Sequence, residues 1–485
     1  MDRVSTGFER LDEVLDGGFI KGRSYLLVGE AGTGKTIFSL YWLRDGANNK
    51  EKCLFISLAE RKEDLEANIG GFGWDLQGIE ILDLSPTFTP QEVTEYRVFP
   101  ASEVEAEVFW GSIHEKLNKF KPQRLVIDSA SFLRLLATGE YQFRRRILGL
   151  LHFLSQIECT SILTFEPTEL LQETSLSLAV DGLLRFRREL SRNKVIDIRS
   201  VEIQKFRGSS YKGGLHSMKI TSSGFEFFPH FIERQAEEKE VAERWPSGLP
   251  QLDELLGGGL EFGTTTLISG PSGCGKTTLG VQYLTQAAGF GRRSVLYTFE
   301  ESPYSIIYRT KSLGIPLDPV LKDGRFKIVQ VNPLEFSPDE FHLLVKKEIE
   351  QEERTAVMID SIKGYEVAMV EYGTLASYLQ NLVHYLNRMN CTALCINELE
   401  TLAGEVKITE RGISHLFDNA LFIRYAEIEG KIVKVIGCIK KRLGDYQSDL
   451  REFRITKEGL RVGEKLKGWE GILSGTPRSI RSPEN

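Results

Sequence analysis

Two segments of this 485-residue chain restrict its fold more than anything else. They are Gly29-Glu-Ala-Gly-Thr-Gly-Lys35-Thr36 and Gly270-Pro-Ser-Gly-Cys-Gly-Lys276-Thr277. Both fit G-x-x-x-x-G-K-[ST], the phosphate-binding loop, whose backbone N–H groups surround an anion at a helix N-terminus where the helix dipole favours negative charge. An apolar run precedes each loop, Ser24–Val28 and Thr265–Ser269, and reads as a buried strand. The amphipathic stretches that follow, Ile37–Arg44 and Thr278–Ala287, read as helices. In this setting Gly29, Gly32, Thr33, Gly34, Gly270, Gly273, Cys274 and Gly275 supply the loop backbone. Lys35 and Lys276 reach the terminal phosphates of ATP, and the hydroxyls of Thr36 and Thr277 join a Mg²⁺ shell.

The loops belong to an internal duplication. Ser5–Thr36 and Pro246–Thr277 align without a gap, with about fourteen of thirty-two positions identical, among them Gly7/Gly248, Asp12/Asp253 and Gly22/Gly263. A repeat this long means tandem domains: an N-terminal ATPase domain over 1–230, a charged linker over 231–245, a second ATPase domain over 246–470 and a tail over 471–485. The expected class is α/β, each P-loop domain a mainly parallel sheet flanked by helices.

Acidic residues complete each site. Cys53–Leu58 leads to Ala59 and Glu60, and Ser294–Phe299 leads to Glu300 and Glu301, where a carboxylate can orient and deprotonate an attacking water or hydroxyl. Ala59 stands opposite Glu300, so in the first domain only Glu60 is left for that role. Two further apolar runs close on Asp128-Ser129 and Asp360-Ser361. An Asp at the carboxyl end of a parallel strand faces the phosphates and helps hold Mg²⁺. Lys205 and Arg207, and likewise Lys440 and Arg442, alternate on β-like stretches that would put each pair on one strand face, as an edge-protecting charge or a γ-phosphate clamp acting in trans.

Composition narrows the class. A net charge of −7 argues against a protein that coats nucleic acid, no apolar run is long enough to span a membrane, and the N-terminus lacks a signal-peptide pattern, so the cytoplasm is expected. Six scattered cysteines do not form a disulfide framework; Cys391 and Cys395 read as small core residues, and Cys274 is a position where oxidation would reach the second loop. The clusters Arg144–Arg146 and Arg185–Arg188 read as helix-surface charge and inter-subunit pairing ahead of nucleic-acid contact.

Taken together, these motifs resemble the KaiC family of RecA/DnaB-type ATPases over nearly the whole length. The likeness includes T-G-x-x-x-L-D-x-x-L-x-G-G before the first loop, Phe72–Leu76, both Ile-Asp-Ser segments, both Lys-x-Arg pairs and Gly471–Ile480 in the tail. It implies an ATP-dependent two-tiered homohexamer with nucleotide at subunit seams, slow hydrolysis, serine autokinase activity in the second tier and signalling or timing through a KaiB-like partner. Ser414 matches the family's phosphoacceptor serine, His415 replaces the adjacent threonine, and Thr409 aligns with a nearby one. Thr94–Glu107 departs from the family where its partner docks. The rivals are a DNA recombinase or helicase motor and a nucleotide-gated scaffold without turnover in the first domain.

Overall fold

The computed structural model describes residues 1–85, 102–135, 137, 139–167, 174–191, 196–222, 224–230, 243–369, 371–399, 412–473 and 477–479. Thr409, most of Thr94–Glu107 and most of the linker lie outside these residues. The chain divides into two compact units, Met1–His230 and Phe231–Asn485.

Each unit is built on a nine-stranded sheet. In the first, the strands are β1 (Ser24–Val28), β2 (Cys53–Ser57), β3 (Ile79–Asp83), β4 (Arg124–Asp128), β5 (Thr160–Phe165), β6 (Gly182–Leu190), β7 (Asp197–Phe206), β8 (Leu215–Thr221) and β9 (Gly224–Phe228). Their spatial order is β3-β2-β4-β5-β1-β6-β7-β8-β9. The second unit repeats it with β10 (Thr265–Gly270), β11 (Arg293–Thr298), β12 (Phe326–Gln330), β13 (Arg354–Asp360), β14 (Thr392–Glu398), β15 (Asn419–Ile428), β16 (Lys431–Lys441), β17 (Arg451–Thr456) and β18 (Gly459–Lys465), in the order β12-β11-β13-β14-β10-β15-β16-β17-β18. The first six strands of each order pair in parallel and the remaining three join as an antiparallel extension. The α/β class with mainly parallel sheets flanked by helices is therefore as expected.

Burial explains why β1, β2 and β4 read as apolar runs. A parallel strand covered by helices on both faces has no solvent side to make polar. In the first unit one face packs Leu27, Phe55, Val126 and Ile162 against Phe38 and Trp42 of α1 (Lys35–Asn48). The other face packs Leu26, Leu54, Ile56 and Leu125 against Ile147 and Leu154 of α2 (Glu140–Gln156). Each such side chain contributes about 1.5–3 kcal/mol when fully buried. The stiffness this gives β1, β4 and β5 matters, because all three end at the phosphate loop.

Candidate nucleotide-binding clefts

The loop joining β1 to α1 turns on Gly34, and the loop joining β10 to α3 (Lys276–Gly289) turns on Gly275. These glycines have φ of +95° and +109°, and a Cβ at either would fall within 3 Å of Phe225 or of Ile455 and Phe453. Only glycine relieves both the strain and the clash. Because the chain turns there, each helix begins at its loop lysine, two residues before the expected start, and runs past the expected end to Asn48 or Gly289. Lys35 and Lys276 thereby sit in the first helical turn with almost buried side chains. Lys35 Nζ donates to the carbonyls of Gly29 (2.7 Å) and Glu30 (2.9 Å), and Lys276 Nζ to that of Pro271 (2.7 Å). Burial pushes the Lys35 ammonium below its ordinary pKa, opposed by the carboxylates of Glu166, Asp128 and Glu30.

The next residue of each loop meets the acid at the end of a neighbouring strand. Thr36 Oγ1 donates to Asp128 Oδ2 at 2.6 Å, and Thr277 Oγ1 donates to Asp360 Oδ2 at 2.6 Å. A hydroxyl and a carboxylate placed side by side are hard oxygen donors that suit Mg²⁺. Among the described residues no group of three or more His, Cys, Asp or Glu could hold a metal unaided. Such a donor set fits an ion that keeps most of its shell from water and phosphate. Burial raises the Asp360 carboxyl to about 6, against the Thr277 hydrogen bond and Lys276, with Glu301 and Glu300 adding to the rise. Both Asp–Ser peptide bonds, Asp128-Ser129 and Asp360-Ser361, are cis.

These residues line open clefts of about 470 Å³ in the first unit and about 350 Å³ in the second. The acids after β2 and β11 reach the same clefts. Glu300 Oε1 accepts from Ser361 Oγ at 3.2 Å. Glu301 Oε1 accepts from Ser305 Oγ (2.7 Å) and pairs with Arg309 Nη1 (2.6 Å). In the first cleft Ala59 offers a methyl group, and Glu60 Oε2 accepts from Asn68 Nδ2 at 3.3 Å. Burial, then the charge of Asp128, raises the Glu60 carboxyl above the usual range. Glu166, directly after β5, and Glu398, the last residue of β14, also line the clefts and went unnoticed in the sequence, as did Asn68 and Arg309. Extending the internal alignment would have found that last pair, since each lies eight residues after its glutamate.

The basic pairs differ from the expected regular strand. Opposite Leu183 and Leu184 stand Lys205 and Ile203, and opposite Ala420 and Leu421 stand Lys440 and Cys438, so each strand carries a bulge just before its lysine. A bulge re-aims the side chain that follows it. The strands end at Phe206 and Lys441, leaving Arg207 and Arg442 beyond them. Within each pair the two cations still converge. Lys205 Nζ donates to the carbonyls of Ser177 and Val180 (2.6 Å each), and Arg207 Nη2 to that of Leu178 (3.5 Å). Lys440 Nζ donates to the carbonyls of Ser414 (3.2 Å) and Phe417, and Arg442 Nη2 to that of His415 (2.7 Å). Burial and the adjacent arginine hold both lysines below their ordinary pKa. Ser414 thus lies on a short 3₁₀ turn, Ile413–Leu416, gripped from below by the basic pair.

All six cysteines are free and buried. Burial keeps the Cys274 thiol above its ordinary pKa, and so protonated and slow to oxidise. Arg187 and Arg188 lie on strand β6 and not on the helix surface expected, and they pair with Glu202 and Asp197 of the neighbouring strand. No helix of the described residues is long and apolar enough to cross a membrane.

A family model, the KaiC ATPase, matches residues 4–231 and again 245–467. The chain belongs to the KaiC ATPase family. Nearly the whole length is also related to curated proteins. It is similar to the circadian clock oscillator protein KaiC of Parasynechococcus marenigrum (strain WH8102), at 29% identity covering 100% of this chain and 94% of the relative. It is equally similar to the circadian clock protein KaiC3 of Synechocystis sp. (strain ATCC 27184 / PCC 6803 / Kazusa), at 29% covering 98% and 95%. The KaiC of Parathermosynechococcus lividus is 27% identical over 99% of this chain and 89% of its own. A KaiC-family ATPase binds nucleotide.

Proposed function

We propose that the protein is a Mg²⁺-dependent ATP hydrolase that works as a ring-shaped homohexamer, with one nucleotide held by each cleft at a seam between subunits. The observation that carries this reading is the pairing of loop lysine, loop threonine and strand-end aspartate in both units, with both hydroxyl–carboxylate contacts at 2.6 Å. Bound Mg²⁺ would neutralise charge on the β- and γ-phosphates. In the second cleft Lys276 and the loop amides bind the triphosphate and Glu300 takes the proton of the attacking water or hydroxyl. Lys440 and Arg442 of the neighbouring subunit steady the charge on the transferring phosphoryl group, and Lys205 and Arg207 serve the first cleft in the same way. Glu60, raised in pKa and alone, makes the first cleft the slower of the two.

Ser414 is the proposed acceptor for autophosphorylation, its turn supported by the same Lys440 and Arg442 that reach the γ-phosphate. With His415 beside it, phosphate would go to one residue of that pair only. A timing or signalling role and self-association are suggested by the clock proteins it is similar to, and a KaiB-like partner and a cytoplasmic setting belong to the same proposal. Incubating wild-type and Glu300→Gln protein with MgATP, then sizing the assemblies and mapping phosphate by mass spectrometry, tests all of this. A wild-type chain that stays monomeric without phosphoserine at Ser414 would remove the hexamer and the autokinase together.

A further inference from the structure

Beyond Ala59 and Glu300, the two clefts differ at a second pair of equivalent positions. In the first, the side chain eight residues after the glutamate is the neutral amide of Asn68; in the second it is the guanidinium of Arg309, on the helix Pro303–Ser312. Arg309 lines the second cleft together with Lys276, Thr277, Glu301 and Asp360, so it adds a cation to a site that already faces phosphate. Its position there is incomplete. Nη1 pairs with Glu301, while Nε and Nη2 are shut off from solvent with no hydrogen-bond partner among the described residues. A guanidinium carries five donors in a planar fork suited to two oxygens at once, and leaving buried donors unmatched is costly. A phosphoryl group offers the oxygens that Glu301 alone does not.

We propose that Arg309 is a terminal-phosphate sensor of the second cleft: it rests on Glu301 and turns to the γ-phosphate when a nucleoside triphosphate binds. This rests on the reading of that cleft as an ATP site. Two consequences follow from the geometry. The second cleft discriminates triphosphate from diphosphate more strongly than the first, because Asn68 brings no charge to the same place. Glu301, released from its ion pair only in the triphosphate state, then becomes available beside Glu300 to orient the attacking group, so that its freedom reports the nucleotide state.

The test is calorimetric titration of the full-length chain with Mg²⁺ and either a non-hydrolysable ATP analogue or ADP. Arg309→Asn is expected to weaken the analogue at one of the two classes of site by about ten- to a hundredfold, the worth of one or two charge-assisted hydrogen bonds, and to leave ADP unchanged. Unchanged ADP binding also shows that the variant is folded. Arg309→Lys should keep part of the preference, and Asn68→Arg should install it at the other class. If Arg309→Asn moves analogue and ADP together, or moves neither, the assignment is overturned. If wild-type protein binds neither nucleotide, the ATP site falls and the sensor with it, an outcome distinct from loss of discrimination alone.

Discussion

Replacing Asp360 with Asn should stabilise the second unit in the absence of metal and nucleotide, even as it removes a Mg²⁺ donor. Asp360 keeps its carboxyl near 6, about two units above an unfolded Asp, because burial beside Glu300 and Glu301 outweighs the help from Thr277 and Lys276. The sign is unusual for a carboxylate. With the folded pKa raised, protonation favours the folded state, and that stability is full below about pH 4 and lost as pH rises through 6. Two units correspond to about 3 kcal/mol at most, and partial solvent access at the cleft reduces this to about 1–3 kcal/mol at pH 8. Asn keeps an oxygen to accept from Thr277 and carries no charge to desolvate, so Asp360→Asn should recover that amount. For a unit of this size it means a rise of a few degrees in melting temperature. Scanning calorimetry in EDTA at pH 8 and pH 5 measures it. The gain should be present at pH 8 and fall to about half at pH 5, where the folded residue is mostly protonated but an unfolded Asp is still ionised. A variant that is no more stable at pH 8, or whose advantage grows on acidification, would show that the carboxylate is not strained by its cleft.

Glu300→Gln should lower phosphate release by about 10²–10⁴-fold at the second cleft while nucleotide still binds, and Ala59→Glu should speed the first; equal rates in all three proteins, followed by phosphate assay, would remove these acids from the chemistry. Glu348→Ala should destabilise the second unit by about 3–5 kcal/mol, because it strands Arg354, paired at 2.7 Å and almost wholly buried, and also Lys327. Burial pushes the Glu348 carboxyl up, but Lys327 and Arg354 more than offset it and hold it below the usual range, so this loss should fade only as pH falls below the usual carboxylate range in denaturant titrations. Mixing Arg442→Ala chains with Lys276→Ala chains should restore part of the phosphate release that each lacks alone, since an intact loop then meets an intact neighbour; strictly additive rates would exclude action in trans.

How much of this could be read from residues alone varied with the range of the interaction. The phosphate loops, the buried strands before them and the strand-end acids are local patterns, and all three appear where the sequence put them. The starts of the loop helices were misplaced by two residues because left-handed Gly34 and Gly275 let the helix begin at the lysine itself. The Lys-x-Arg pairs looked like plain alternation, yet a bulge before each lysine depends on pairing with a strand some twenty residues earlier and leaves no local mark. Glu166 and Glu398 were missed for a related reason. Nothing in their neighbourhoods announces chemistry, and only the folding of the β-sheet brings them to the clefts.

Nucleotide stoichiometry reaches the central claim most directly. Equilibrium binding of a non-hydrolysable ATP analogue with Mg²⁺ should saturate at two molecules per wild-type chain, and at one in either Lys35→Ala or Lys276→Ala. Saturation at one or none in the wild type, or two retained after either lysine is removed, would contradict a chain with a working phosphate cradle in each half.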